Sequence, residues 1–460
     1  MQPFRYHVFA CEQQKPEGAP CCAARGAGQV LEALRREVGM RGLVEQVQVT
    51  ACGSLGLCEH GPNLVVYPEG VWYSGVTEAD VPEIVHSHFQ EGTPVARLAQ
   101  TDQAWVHAEI LKSREKMLAA RRVQEASGAV PDDLNERMRA FQESRVMLTA
   151  LELDLFTAVG DGACAAEVAA RLGADPRSTE MLLNALASLR LLTKRDGVFR
   201  NSPAAARYFT AGSRDNARPA LLHTAHLWQR WSALTECVRA GTAVGHEETS
   251  RGGADWTEAF IAAMHRNASE RAPLVVGAVG AQNAGRMLDV GGGSGAYSIA
   301  FAQANPALRA DILDLPAVGP IARGHIERAG VADRVMVRAG DLRSGSLGEG
   351  YDLVFISAIC HMLSPEENLD LLGRCREALA PGGRVAIQDF ILEPDKTSPR
   401  FAALFALNML VGTRGGSSYS EPEYAAWLGE AGFAEVRRVR LPGITGLMIG
   451  MRPSTGMSAA

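Results

Sequence analysis

The spacing of apolar and polar residues divides the chain into three regimes. Over residues 1–100, short β-like runs at Tyr6–Ala10, Val44–Thr50, Asn63–Tyr67 and Val71–Ser74 alternate with helical patterns at Gly28–Gly39 and Val81–Phe89, and Gly and Pro punctuate them. This predicts a small α/β unit. From about 101 to 127 the pattern is polar and helix-prone, ending at Ser127-Gly128-Ala129-Val130-Pro131, which reads as a helical connector with a linker. Residues 135–275 follow a helical period, interrupted once by Leu191–Phe199, a strand–turn–strand with Asp196-Gly197 at its tip. Helix, helix and small hairpin in that order describe a winged helix-turn-helix. From 286 onward, strand-like runs at Arg286–Val290, Arg309–Leu313, Arg334–Arg338, Leu353–Ser357 and Arg384–Asp389 alternate with helical segments, the pattern of a parallel sheet with crossover helices.

Composition agrees with a folded chain of several domains. At 460 residues with 47% apolar and 21% charged positions, the sequence accommodates about three domains of ordinary globular character. The net charge of −6 provides no general field toward nucleic acid or anionic membranes. The N-terminal residues lack the apolar core of a secretion signal, and the longest apolar stretch, Phe401–Gly412, is broken by Asn408 and is too short to span a bilayer. A cytoplasmic protein without membrane contact is expected. Five of the nine cysteines (Cys11, Cys21, Cys22, Cys52 and Cys58) crowd the first 58 residues, which in a reducing compartment points to metal ligation or redox chemistry before structural disulfides.

Leu288-Asp289-Val290-Gly291-Gly292-Gly293-Ser294-Gly295 follows a predicted strand and precedes a helical run. Consecutive glycines let backbone approach a ligand, and a helix N-terminus offers free N–H groups. The next strand ends in Asp314, where a ribose diol would sit, and Asp341 follows the strand after that. No Gly-Lys-Ser/Thr is present, against a phosphate-cradling loop. The competing reading is a purely structural strand–helix turn.

Together with Leu313-Asp314-Leu315-Pro316 and Gly340-Asp341, this segment resembles the class I S-adenosylmethionine-dependent methyltransferases, in particular the caffeate- and acetylserotonin-type O-methyltransferases with a winged-helix dimerisation domain. The resemblance runs from about 140 to 452. It implies a cofactor set of Asp289, Gly291, Gly293, Gly295, Asp314, Leu315, Asp341, Leu342 and Ser357, with Asp314 on the ribose and Asp341 and Leu342 at the adenine.

His361 lies just past the carboxyl end of a predicted strand, the edge where open α/β sheets bind ligands, and imidazole can take a phenolic proton near neutral pH. The family has His-Asp-Trp-Ser-Asp-Glu-Glu where this chain has His361-Met362-Leu363-Ser364-Pro365-Glu366-Glu367. Asp389 falls where the family has a Glu that orients the base, and Ser418 where it has a second acid. The resemblance thus implies His361 as base and Asp389 as its orienting partner, against a substrate-positioning or structural histidine. These departures leave carbon methylation, or binding without methyl transfer, as competing readings. By resemblance the acceptor pocket draws on Trp228, Trp231, Met264, His265, Phe405, Asn408 and Met409, side chains suited to a flat apolar molecule, with ordinary core packing as the alternative for each.

The candidate recognition helix Pro176–Arg190 carries only two basic residues and a broad apolar face, so dimerisation is expected rather than DNA binding. At the N-terminus, Cys11-x10-Cys22 and Cys52-x5-Cys58 supply four thiols from two loops, the inventory of a [2Fe–2S] cluster; zinc sites expect tighter pairs such as C-x2-C, and spacing alone leaves that choice open. The segments around Cys11 and Cys22, and Leu57–Tyr73, resemble the thioredoxin-like [2Fe–2S] ferredoxins over nearly all of 1–98. That resemblance implies Cys11, Cys22, Cys52 and Cys58 as ligands. It departs from the family at Ser54, which occupies the usual third-ligand position, with Cys52 two residues earlier.

The expected architecture is therefore α/β multidomain: a thioredoxin-like ferredoxin domain (1–100), a helical connector (101–134), a winged-helix dimerisation domain (135–275) and a Rossmann-like, doubly wound methyltransferase domain (276–454). The expected function is O-methylation of a small aromatic acceptor by a homodimer, with a redox or docking role, and a redox partner protein, for the first domain. The alternative is an electron-transfer or redox-sensing protein whose second part binds ligand without methylating.

Overall fold

The computed structural model describes residues 3–15, 19–127, 130, 132–244 and 254–454. The chain divides into two compact units, Met1–Phe141 and Gln142–Ala460. The expected linker at Gly128, Ala129 and Pro131 lies outside the described residues.

In the first unit, β1 (Tyr6–Cys11), β2 (Val47–Cys52), β3 (Asn63–Tyr67) and β4 (Val71–Ser74) form one sheet in the order β2-β1-β3-β4. β1 and β2 are parallel, joined by the helix Ala27–Met40, and β3 runs antiparallel to both β1 and β4. The period-2 pattern of β1 sends Tyr6, Val8 and Ala10 inward, against Val30, Leu31, Leu34 and Val38 on one stripe of the helix. β2 begins at Val47 rather than Val44, because a turn closed by Gln46 N–H on Leu43 O occupies the residues before it. The helical pattern expected at Val81–Phe89 forms, and widens into π geometry over Ile84–Gln90. The helix Gln103–Ser127, read as a connector, belongs to this unit.

The second unit opens with helices around a three-stranded sheet, β5 (Ala163–Cys164), β6 (Leu192–Arg195) and β7 (Val198–Asn201), in the order β5-β7-β6. β5, a two-residue strand inside the helical run, was not expected from periodicity. Asp196 and Gly197 both adopt positive φ (49° and 77°), as a two-residue hairpin turn requires. Asp175 caps the helix Pro176–Ser188 through Ser178 N–H at 2.8 Å, and Leu183 and Leu186 bury against Phe156, Val168 and Phe199.

The remainder builds a seven-stranded sheet from β8 (Arg286–Val290), β9 (Arg309–Asp314), β10 (Val335–Ala339), β11 (Tyr351–Ser357), β12 (Leu379–Asp389), β13 (Ala434–Arg440) and β14 (Gly446–Met451), in the order β10-β9-β8-β11-β12-β14-β13. Strands β8–β12 are parallel, but β14 pairs antiparallel with both β12 and β13, so the sheet is mixed rather than parallel throughout. The strand order reverses at β8/β11, which opens a crevice at the carboxyl ends of these two strands. Leu353–Ile356 and Val385–Ile387 are fully buried, as central strands covered on both faces must be.

Candidate active site

The glycine loop leaves β8 at the crevice. Gly291 has φ +68°, and a Cβ there would lie 2.4 Å from Ile359 Cδ1; Gly295 has φ +77°, and its Cβ would lie 2.7 Å from Ile312 Cδ1. Only glycine meets both the backbone conformation and the close approach. Gly293 meets nothing within 4 Å and so borders open space. The helix Ala296–Ala304 begins just after Gly295, directing its first-turn N–H groups toward the loop. Asp314 ends β9, and its carboxylate accepts Gly293 N–H and Leu315 N–H, both at 2.7 Å, which ties the loop to the second strand. Leu315 is exposed beside it. Asp341 is exposed and accepts Arg343 N–H at 2.9 Å, while Leu342 packs near Gly291 and the sheet core. Ser357, at the end of β11, donates to Gln388 Oε1 at 2.8 Å. Of the expected cofactor residues, the loop glycines, Asp314 and Leu315 are joined at the ends of β8 and β9, whereas Asp289 is buried beneath them.

Asp289 is fully buried under this loop. Ser298 Oγ donates to its Oδ2 at 2.7 Å, whereas Oδ1 has no partner. Burial, only partly offset by the Ser298 hydroxyl and reinforced by the nearby Asp314 charge, pushes the carboxyl up to about 7.

His361 sits in the short helical turn Cys360–Met362 just after β11, and Asp389 ends the neighbouring β12. Strand adjacency therefore brings together residues 28 positions apart: His361 Nδ1 donates to Asp389 Oδ1 at 2.7 Å. A carboxylate at Nδ1 places the ring proton there and leaves Nε2 as the acceptor, the tautomer a general base needs. Both groups are buried, at 6% and 2% exposure, so the bond is shielded from water. Asp389 also accepts His361 N–H, Phe390 N–H and the Tyr424 hydroxyl. Asn368, wholly buried on the following helix, donates its amide to the carbonyls of Cys360, Leu363 and Ser364 and so shapes the turn that carries His361.

Aromatic side chains wall the base. Phe405 meets the His361 ring edge-on at 5.0 Å, and Phe390 and Phe401 pack around Phe405. Asn408, one turn beyond Phe405 on the helix Arg400–Gly412, accepts the Trp231 indole N–H at 3.0 Å and thereby joins two of the expected acceptor residues. Met409 is buried on the same helix, and Arg145 lies over the Trp228 ring at 5.6 Å. Met264 is exposed. His265 turns to the glycine loop: its Nδ1 is 2.8 Å from Ser294 Oγ and its ring stacks on His325 at 3.6 Å. Burial first, then the His325 and Arg328 charges, draw His265 down to about 4, so it is neutral when it contacts the loop.

In the first unit, Cys11 and Cys22 are buried and pack together. The neighbouring Cys22, against the effect of burial and with the backbone N–H groups of Gln13 and Leu55, draws the Cys11 thiol down to about 6, while Cys11 and burial push Cys22 up. Gly61 lies against this pair; a Cβ there would stand 2.4 Å from Cys22 Sγ. Cys52 faces Cys11 across the β1–β2 ladder, and Cys58 Sγ is 3.2 Å from Ser54 Oγ. Cys11 and Cys22 pack in one small buried cluster with Ala27, but among the described residues no group of three or more His, Cys, Asp or Glu side chains converges as a metal site, so the four expected thiols are not gathered into a ligand set.

Tyr424 and Asn368 were not foreseen from sequence. Neither lies in a motif; each acts through a contact set by the packing of a helix against the β11–β12 edge. Gln388 had a visible signal, standing beside Asp389 at the strand end where ligands bind.

An α/β crevice with a glycine loop, an acid at the end of the second strand and a shielded histidine–carboxylate pair defines a group-transfer site for a nucleoside-bearing cofactor. The O-methyltransferase dimerisation domain model matches residues 135–211, and the O-methyltransferase domain model matches 231–434. The chain is 34% identical to the 3-hydroxy-5-methyl-1-naphthoate 3-O-methyltransferase of Streptomyces sahachiroi, over 70% of this chain and 95% of that protein. It is 31% identical to the tetracenomycin polyketide synthesis 8-O-methyl transferase TcmO of Streptomyces glaucescens, over 70% and 97%. The solved structure of PigF with SAH superposes with a TM-score of 0.63 at 30% identity, covering 70% of this chain and all of that one (100%). The chain belongs to the S-adenosylmethionine-dependent O-methyltransferase family and carries that family's dimerisation domain. No described helix is long and apolar enough to cross a membrane.

Proposed function

We propose that the enzyme methylates a hydroxyl of a flat aromatic small molecule, with His361 as the general base and Asp389 as its orienting partner. The observation that carries this is the 2.7 Å His361 Nδ1–Asp389 bond, which leaves Nε2 free beside the wall of Phe405 and Phe390. The acceptor oxygen attacks the donor's methyl carbon in line; the O–CH₃ bond forms as the S–CH₃ bond breaks, the sulfonium becomes a neutral thioether, and the phenolic proton passes to Nε2. Asp389 stabilises the imidazolium that results. The donor is held by the loop Gly291–Gly295, with Asp289 and Ser357 beneath it, Asp314 and Leu315 at the ribose, and Asp341 and Leu342 at the adenine. Trp231, Met264, His265, Phe405, Asn408 and Met409 line or frame the acceptor side. The names of the two naphthoate and polyketide relatives support the acceptor class. A homodimer through residues 135–275, followed by a transferase domain over 276–454, completes the layout.

For residues 1–100 the reading is a thioredoxin-like ferredoxin domain, with Cys11, Cys22, Cys52 and Cys58 as ligands of a [2Fe–2S] cluster and residues 101–134 as its connector. The strand order β2-β1-β3-β4 and the Cys11–Cys22 pair support it. Such a cluster supplies one-electron transfer, which methyl transfer from a sulfonium does not use, so the domain serves a redox or docking role toward a partner protein.

His361→Gln is expected to lower the rate of S-adenosylhomocysteine formation, in the presence of a hydroxynaphthoate acceptor, by about 10²-fold or more. Affinity for S-adenosylhomocysteine should be unchanged by calorimetry. Equal turnover by the variant and the parent removes His361 from the mechanism.

A further inference from the structure

Asp389 collects donors from three elements. Its Oδ1 accepts His361 Nδ1 at 2.7 Å and Phe390 N–H at 2.8 Å; its Oδ2 accepts His361 N–H at 3.1 Å and the Tyr424 hydroxyl at 3.2 Å. The first three donors come from the turn and the strand end that carry the pair itself. Tyr424 comes from a separate helix, Glu421–Glu430, 35 residues further along the chain.

That helix is built to hold its tyrosine still. Ser420 and Glu423 close a capping box at its start, with Ser420 Oγ–Glu423 Oε2 at 2.6 Å, and Lys396 ties Glu423 from outside at 2.7 Å. The Tyr424 ring is 1% exposed and packs edge-on against Trp427 at 5.5 Å and Tyr419 at 6.2 Å. Tyr419 in turn donates to Leu363 O at 2.5 Å, just past His361. The neighbouring Ser418, which stands where a second acid was expected, is buried and its Oγ has no partner. The polar group that reaches the pair from this segment is therefore a phenol, a donor to Asp389, rather than a carboxylate.

We propose that Tyr424 is a positioning residue for the base: its hydroxyl fixes the plane of the Asp389 carboxylate and sets how strongly that carboxylate accepts from His361 Nδ1. This deepens, and rests on, the reading of His361 as the base. A carboxylate held through Oδ2 by a neutral phenol keeps Oδ1 aligned with the imidazole, and the phenol draws charge from the carboxylate, tempering its pull on the Nδ1 proton. Without it, Oδ2 keeps only the backbone N–H of His361, and Oδ1 carries more charge.

The test compares Tyr424 with Phe and with a site-specifically incorporated fluorotyrosine, a stronger donor of nearly the same size. Both keep the ring that packs on Trp427 and Tyr419. In the enzyme saturated with S-adenosylhomocysteine, the proton resonance of His361 Nδ1–H, assigned by its loss in His361→Gln, is expected to move downfield in Tyr424→Phe and upfield with fluorotyrosine. With a hydroxynaphthoate acceptor, Tyr424→Phe should lower kcat about three- to tenfold with KM unchanged. A ring that serves packing alone would leave the resonance at its parent position in both variants, and that result overturns the proposal. If His361→Gln turns over at the parent rate, the base reading fails separately, while the displacement of the resonance still judges Tyr424.

Discussion

Asp289 shows how a single buried group sets the behaviour of the donor loop. Its carboxyl lies beneath Gly292, where a Cβ would stand 2.6 Å from its Cγ, and is pushed up to about 7 by burial. An acid whose pKa is higher folded than unfolded favours the folded state fully below the unfolded value, near 4, and loses that contribution as pH rises through about 7. Asp289→Asn removes the charge that burial opposes while keeping an oxygen for Ser298 Oγ–H. The variant's melting temperature, relative to the parent and without methyl donor, is expected to rise as the buffer moves from pH 4 to pH 8. A difference that stays constant over that range contradicts the assignment. At this scale the residues that sequence could find are those whose role depends on near neighbours: the loop Gly291–Gly295, Asp314 at its strand end, and His361 past another. Tyr424 escaped notice because its function depends on which oxygen its hydroxyl meets, and a buried tyrosine on an apolar helix face looks like core until Asp389 is in place.

At the scale of elements, the strands that position the site were legible where they are wholly apolar, as in Leu353–Ile356, or end in a functional residue, as in β9 at Asp314 and β12 at Asp389. β13 and β14 were not. β13 reads Ala-Glu-Val-Arg-Arg-Val-Arg, and a register shift between Ala434 and Arg437 breaks its alternation; β14 is a short apolar run enclosed by two antiparallel neighbours. Without these two strands, the remaining pattern describes a purely parallel sheet. The cysteine-bearing segments pose the opposite case: their spacing suggests four ligands, whereas among the described residues no metal-binding group converges. β1 and β2 deliver Cys11 and Cys52 side by side, the loop before the helix Ala27–Met40 brings Cys22 onto Cys11, and Cys58 meets Ser54. Anaerobic reconstitution of the full chain with iron and sulfide is expected to give about two irons per chain, with visible absorption and, after reduction, an EPR signal. Cys11→Ser and Cys22→Ser should abolish both signatures. Colourless protein without iron after reconstitution contradicts the cluster.

At the scale of the whole molecule, the chain divides into two compact units. The second holds the match to the O-methyltransferase family together with a crevice at the strand-order reversal, a glycine loop, a buried histidine–carboxylate pair and an aromatic wall. The first holds the cysteine-rich sheet, whose proposed redox or docking role lies outside methyl transfer. The segment that periodicity describes as a winged helix-turn-helix coincides with the match to the family's dimerisation domain, residues 135–211. A base beside an aromatic acceptor can serve attack by oxygen or by ring carbon, and the destination of the methyl group distinguishes the two. The direct measurement is the NMR spectrum of the product formed from S-adenosylmethionine labelled with ¹³C in its methyl group and a hydroxynaphthoate acceptor. A single labelled methoxy signal that requires both enzyme and acceptor is expected; a labelled methyl on ring carbon, or no transfer to any of a panel of hydroxylated aromatics, contradicts O-methylation by this site.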